Sequence, residues 1–356
     1  MFVAWRDLKV AKGRFALIAT VVTLITVLVT FLAGLTGGLA NQNIAALTSL
    51  DVDRIVFATH EGEQPSFADS VVTEAQADAW ASQAGVAAVE PLGISTARLS
   101  AGDRQEAVTL FGGGPGTGTV DAPQPGQLLL NTTTADALGV AQGQQVEIAD
   151  RTFVVRTTTD DDLWYSHMPV VYADLDDWRA LVTQPGNRTP FATVLGVSGT
   201  DVDYAAADIA ADTTSMGVLS SLTALKSFKS EIGSLLLMVG MLFGISALVV
   251  GAFFTVWSIQ RQPDVAVLKA LGATNRMLTL DALGQAAVVL LLGVSAGIAT
   301  TSLLGLAARN VLPFVLNPLT TVVPGFIMTA LGLAGAALAT RSITTTDPLT
   351  ALGSNR

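Results

Sequence analysis

The chain has 356 residues, of which half are hydrophobic and only 13% charged; soluble domains carry about 25% charged residues, and the mean hydropathy of +0.53 says that water is not its only solvent. Cysteine is absent, which removes disulfide frameworks, thiolate metal sites, iron–sulfur clusters and cysteine nucleophiles together. The formal charge of −10 is uneven: residues 38–230 hold 24 Asp and Glu against 9 Lys and Arg, so that segment carries −15 and the rest +5, which argues against nucleic acid as a partner of the acidic middle.

In chain order, the first long feature is a charge-free run from Phe15 to Thr36. Its 22 residues at about 1.5 Å each cross a hydrocarbon core of roughly 30 Å. Three more such runs follow at Ile232–Gln260, Ala282–Ala308 and within Val311–Thr340. The last is expected to begin near Thr320, because Pro313, Asn317 and Pro318 mark a loop before it. Arg6, Lys9, Lys12 and Arg14 ahead of the first run also fit a secretory signal peptide. Such signals have apolar regions of about 7–15 residues, and this run is longer and lacks a small-x-small cleavage site, which favours an uncleaved helix.

Lys and Arg in short flanking loops set orientation. They concentrate in the N-terminal tail, in the loop with Arg261, Lys269 and Arg276, and in the tail with Arg341 and Arg356, whereas the loop between the third and fourth runs has only Arg309. The expected organisation is therefore a cytoplasmic segment 1–14, a first transmembrane helix 15–37 and an extracellular mixed α/β domain 38–230. A second transmembrane helix 231–260, a cytoplasmic loop 261–280 and a third helix 281–308 come next. A short extracellular loop 309–319, a fourth helix 320–340 and a cytoplasmic tail 341–356 complete a four-helix, multi-pass protein of the cell membrane with both termini inside.

Within the outer domain, Thr73-Glu74-Ala75-Gln76 has the pattern of a capping box opening a helix to about Gln83. Short apolar runs at Arg54–Ala58, Gln127–Leu130, Val146–Ile148, Phe153–Val155 and Pro169–Tyr172 are expected strands, separated by Gly, Asp and Asn. Asp174, Asp176 and Asp177 begin a further helix, where carboxylates suit the N-terminal dipole.

Chemistry-bearing motifs are few. Gly112–Gly118 looks like a phosphate loop but has no following Lys-Ser/Thr, so a loop is the better reading and ATP hydrolysis must come from another chain. His60 and His167 have no partner at metal-ligand spacing. Asp160, Asp161 and Asp162 lack the Gly and Glu spacing of a calcium loop and read as a solvated turn. No catalytic set emerges.

The loop from Arg261 to Arg276 carries more. Pro263 suits a helix start, Asp264 the N-terminal dipole, and Gly272 a C-terminal cap. Val265, Leu268 and Leu271 fall on one face. A short amphipathic helix between two spans suits docking of a soluble partner, or rests on the membrane surface.

The stretch R-x-x-D-x-A-V-L-K-A-L-G-A-T closely resembles the coupling helix of FtsX/MacB-type permeases of ABC exporters, and Thr346-Asp347-Pro348-Leu349-Thr350-Ala351-Leu352 resembles their tail. One span, a large outer domain and three further spans also match. The resemblance implies a homodimer working with two ABC ATPase subunits that hydrolyse ATP/Mg, with Pro263, Asp264, Val265, Leu268, Lys269, Leu271 and Gly272 coupling the ATPase to the membrane. The N-terminal Met1-Phe2-Val3-Ala4-Trp5-Arg6-Asp7-Leu8-Lys9, followed by Phe31 to Asn41, is similar to the haem-exporting HrtB type and its DevC relatives.

Glu231, at the margin of the second span, is a functional candidate by position, although a helix-start carboxylate or a snorkelling charge also explains it. The haem-exporter resemblance implies that Glu231 ligates haem iron while Lys226 and Lys229 meet the propionates. Phe228 would stack on the ring, Leu35, Leu39 and Asn43 would form a facing wall, and Met238 would be a soft contact or second ligand. No covalent cofactor is expected; haem is substrate. Gly34–Gly38 and Gly240–Gly244 are both G-x-x-x-G, which would let the first two spans pack closely. Two function classes stay open on sequence: an exporter of haem or another lipid or peptide amphiphile, and an FtsX-like transmitter controlling an extracellular cell-wall hydrolase. A membrane-anchored sensor leaves the cytoplasmic loop unexplained.

Overall fold

A computed structural model describes residues 12–58, 64–113, 123–159, 163–183, 188–308 and 311–344. His60, Asp160 to Asp162, the loop beyond Gly113, Arg309 and the motif Thr346 to Leu352 lie outside the described residues. The chain divides into two units, residues 1–39 with 234–356, and residues 40–233.

The first unit is helical. Helix α1 (Lys12–Thr48) opens the described chain, and its residues up to Leu39 belong here. Helix α7 (Lys226–Gln260) contributes from Ser234, and α8 (Gln262–Ala270), α9 (Asn275–Ala308) and α10 (Pro318–Thr344) complete the unit. Four of these helices are long and apolar enough to cross a membrane; a helix satisfies every backbone group within its own segment, as a bilayer demands. Their shared core joins Phe15, Ile18, Val22 and Val29 of α1 to Val250, Phe254 and Trp257 of α7 and to Leu290 and Val294 of α9.

Small residues set the helix spacing. A Cβ on Gly293 would lie 2.8 Å from Val22, and one on Gly297 2.6 Å from Thr26, so α1 and α9 touch through bare backbone. A buried Thr30–Thr301 hydroxyl bond of 2.7 Å ties the same pair. The glycines expected to bring the first two spans together do otherwise. Gly34 receives the ring of Phe314 and Gly38 the carbonyl of Pro313, while nothing lies within 4 Å of a Cβ built on Gly240 or Gly244. The Phe314 loop outcompetes the second span for the notch, because an aromatic ring fills more of it than an opposed glycine.

The second unit is one sheet with helices laid on it. Its strands are β1 (Arg54–Ala58), β2 (Val86–Ala101), β3 (Arg104–Gly113), β4 (Gln127–Asn131), β5 (Gln145–Ile148), β6 (Arg151–Thr159), β7 (Trp164–Tyr165), β8 (Met168–Ala173), β9 (Val194–Gly199) and β10 (Thr213–Gly217). Spatial order is β10-β1-β9-β2-β3-β8-β4-β6-β5, with β7 beside β8. The β3–β8 and β4–β6 pairs are parallel and the rest antiparallel. Strand β5 returns to β2 at Leu99–Ile148, which closes six strands into a ring around Leu99, Val108, Leu110, Leu128 and Val171.

Helices α2 (Glu74–Ala81), α3 (Thr132–Leu138), α4 (Leu175–Val182) and α5 (Tyr204–Ala211) cover the sheet, and a turn of helix, α6 (Val218–Ser221), follows β10. The capping box forms, with Thr73 and Gln76 bonded reciprocally. Asp174 caps α4 and accepts from the Asp176 and Asp177 amides. Trp178 of α4 is 3% exposed. Its ring and Cβ fill the space that side chains on Gly93 and Gly112 would take, each within 2.2 Å of a hypothetical Cβ.

Candidate functional site

Three elements of the outer unit bring polar groups to one point. The first is the end of α1, which carries Asn43, 1% exposed. The second is the two-residue turn between β7 and β8, Ser166-His167, with φ +50° and +64°. Left-handed φ at both central positions is the type I′ hairpin geometry, which strongly prefers Asn-Gly. Holding Ser and His there costs about 1–3 kcal/mol each. The turn is fixed from outside, since the Ser166 amide donates to the Asn43 carbonyl at 3.1 Å and the His167 amide to the Gln42 carbonyl at 3.0 Å. The third element is the first turn and a half of α7, with Ser227 and Glu231.

The side chains converge on one oxygen. Asn43 Nδ2 donates to Glu231 Oε2 at 2.6 Å, and His167 Nε2 lies 2.9 Å from the same oxygen. Ser227 Oγ donates to Asn43 Oδ1 at 3.1 Å, which fixes the amide with its NH2 toward the carboxylate. Two lone pairs facing one another at 2.9 Å would repel, so the imidazole proton belongs on Nε2 and points at Glu231. The 2.9 Å approach of Asn43 Nδ2 to His167 Nε2 then follows from two donors sharing an acceptor. Ser166 Oγ reaches Ser227 Oγ at 3.3 Å and closes the network. The His167 and Glu231 side chains remain 33% and 46% exposed, so a ligand has access to both.

The sequence-predicted residues are distributed unevenly around this point. Asn43 and Glu231 are in direct contact. Lys226 donates instead to Asp69 at 2.9 Å in an exposed pair, and it holds the Asp69 carboxyl below its ordinary range. Lys229 is exposed, whereas Phe228 is half-buried against the core formed by Leu47, Phe57 and Leu225. In the other unit Leu35 and Leu39 are half-buried and Met238 is 52% exposed. His167, without a partner at metal-ligand spacing in the sequence, acquires one across 64 residues.

The residues between the second and third apolar helices form their own arrangement. Pro263 sits in the first turn of α8, and Gly272, at φ +96°, ends it. The Ala273 amide reaches back to the Leu268 carbonyl at 2.9 Å and the Gly272 amide to Lys269 at 3.0 Å, a Schellman-type cap. Val265 and Leu268 line a recess with Trp257, Leu278 and Ala282, whereas Leu271 is 79% exposed and Val267 53%. Leu271 therefore lies off the packed face, because the cap turns the chain before it completes that stripe. Arg261 donates to buried Gln285 at 2.7 Å, Gln285 donates to Asp281 at 3.0 Å, and the guanidinium stands 4.9 Å over the Trp257 ring.

Residues 236–348 match the family described as FtsX-like permease C-terminal. A Staphylococcus epidermidis chain named hemin transport system permease protein HrtB is 24% identical over 359 residues, covering 99% of each chain. An uncharacterised ABC transporter permease of Mycobacterium tuberculosis is 24% identical over 362 residues, again covering 99% of each. Among solved structures, the periplasmic region of MacB from Actinobacillus actinomycetemcomitans is similar at 13% identity and a TM-score of 0.35, covering 49% of this chain and 92% of that one. The extracellular domain of the noncanonic ABC-type transporter YknZ gives 12% and 0.34, covering 47% and 99%. With four apolar helices, an α/β domain between the first and second, and a C-terminal region that matches the FtsX-like permease family, the chain is similar along its full length to permease subunits of ABC-type transporters.

Proposed function

We propose that the chain is the permease of an efflux pump that removes haem from the membrane, driven by ATP hydrolysed on a separate ATPase subunit. It works as a homodimer in the cell membrane with both termini cytoplasmic, and α8 is the coupling helix on which the ATPase docks. The observation that carries this reading is the convergence of Asn43, His167 and Glu231 on one accessible point. One carboxylate and one imidazole fall short of the four ligands that a structural zinc site uses. Iron already held in a macrocycle needs only one or two axial ligands from protein, and one carboxylate suits that demand. Glu231 is the ligand for ferric iron, and His167 and Asn43 are the donors that orient its carboxylate. Exposed Lys229, and Lys226 once exchanged from Asp69, are cations for the propionates.

The relatives named for hemin transport lend support along their full length. The test is a haemin titration of the purified protein, alone and with its ATPase subunit, following the Soret band and ATP turnover. Saturable binding that shifts in His167→Ala, is lost in Glu231→Ala and alters turnover is the expected result. Absence of binding with unchanged turnover would remove haem as cargo. Co-purification of an extracellular hydrolase would then favour the FtsX-like transmitter.

A further inference from the structure

The outer unit holds a cavity of about 410 Å³ that meets the haem reading only at Lys226. Its volume lies within the range of small-molecule sites, roughly 300–1,000 Å³. One wall is aromatic: Tyr165 packs edge-on to Phe67 at 6.1 Å and to Phe111 at 5.6 Å. Leu225 adds an aliphatic surface. Ser66 also lines the cavity; it is 8% exposed, and its hydroxyl bears on the Asp69 carboxyl, which it helps to hold below its ordinary range. Lys226 stands at the mouth, its ammonium paired among the described residues with exposed Asp69. Surface pairs of this kind are weak and exchangeable, so the cation is available to an incoming acid. Burial pushes the Tyr165 phenol up from its ordinary range and keeps it neutral, which spares an anion a charged neighbour.

We infer that this cavity is a binding site for a small amphiphilic organic anion, with its apolar body against Phe67, Tyr165 and Leu225 and its acidic group on Lys226. An inorganic anion would leave the aromatic wall bare, and an uncharged hydrocarbon would gain nothing from Lys226. The site uses neither Glu231 nor His167, and shares with the haem reading only the Lys226 ammonium. It shares Ser166 and Ser227 with the cluster around them, so its occupancy is adjacent to that network.

The experiment titrates the full-length protein in lipid nanodiscs with naphthalene-2-sulfonate, read by saturation-transfer NMR against empty nanodiscs. Thr96 is exposed at the cavity rim, so Thr96→Trp fills the space without touching the core. Saturable binding is expected to vanish in Thr96→Trp at unchanged melting temperature. It should weaken about tenfold in Lys226→Gln, the worth of one charge-assisted hydrogen bond, and tighten severalfold in Asp69→Asn, which frees the ammonium. Binding unaltered by Thr96→Trp would place the probe elsewhere and overturn the site. Equal affinity for uncharged 2-naphthol, with no response to Lys226→Gln, would overturn the anionic class. Haemin titration of Thr96→Trp, expected to match the parent protein, keeps failure here distinct from failure of the haem reading.

Discussion

Replacing Asn43 by Asp puts a second carboxylate 2.6 Å from Glu231 Oε2 while keeping the size of the side chain and the bond from Ser227. At that distance two unit charges repel by about 6 kcal/mol at an effective dielectric of 20 and about 1.6 kcal/mol in water. Asn43 is buried but Glu231 is 46% exposed, so the lower half of that range applies, about 2–3 kcal/mol. For a unit of this size such a loss lowers the melting temperature by roughly 5–10 °C. The control is the exchange Asn43→Asp with Glu231→Gln. It moves the charge to the other side of the same contact, keeps one acceptor for His167 and restores one N–H donor. Intrinsic tryptophan fluorescence during thermal unfolding in detergent gives the four melting temperatures, of the parent, of Asn43→Asp, of Glu231→Gln and of the exchange. The exchange should recover most of the loss, a coupling above about 1 kcal/mol in a double-mutant cycle. A doubly substituted protein no more stable than Asn43→Asp alone would show that the two side chains do not interact as described.

Other perturbations read other parts of the molecule. Burial, with Asp51 nearby, raises the Glu90 carboxyl above its ordinary range, so its ionised form opposes folding. The cost is absent below the unfolded value, grows as pH rises through it and is complete above the folded value; Glu90→Gln should therefore raise the melting temperature at pH 7.5, with the gain fading by pH 4. In the membrane unit, a Cβ on Gly305 would come within 2.3 Å of Phe314, and Gly305→Ala should cost about 1–3 kcal/mol by overpacking, measurable as an earlier unfolding transition. Gly272→Ala places a side chain at φ +96° and should loosen the end of α8 by about 1 kcal/mol; if that helix couples to the ATPase, turnover of the complex falls while haemin affinity is unchanged.

The apolar spans were legible because a bilayer imposes length and the absence of charge, both properties of composition. The outer-domain strands at Arg54–Ala58 and Gln127–Leu130 were legible because short apolar runs stand between turn residues. The long hairpin of β2 and β3 was not. Gly112 opens a run that reads as a loop, yet it and Gly93 lie within strands, where Trp178, more than sixty residues on, takes the space that their side chains would fill. His167 was hidden for a similar reason. Nothing near it in sequence supplies a partner, and its contact with Glu231 exists only once the turn is pinned to α1. Glu231 itself was visible, as a charge at the edge of an apolar run.

The pinned turn has a consequence for sequence length. Ser166 and His167 are the whole connection between Tyr165 and Met168, and both of their amides are tied to α1 carbonyls. Deleting or inserting one residue there shifts β8 by one place, and a strand shifted by one place exchanges its two faces. Val171, fully buried in the ring of strands, would trade sides with Tyr172. Among natural variants this hairpin should therefore almost never change its length, so that alignment gaps fall on either side of Trp164–Ala173 and not within it.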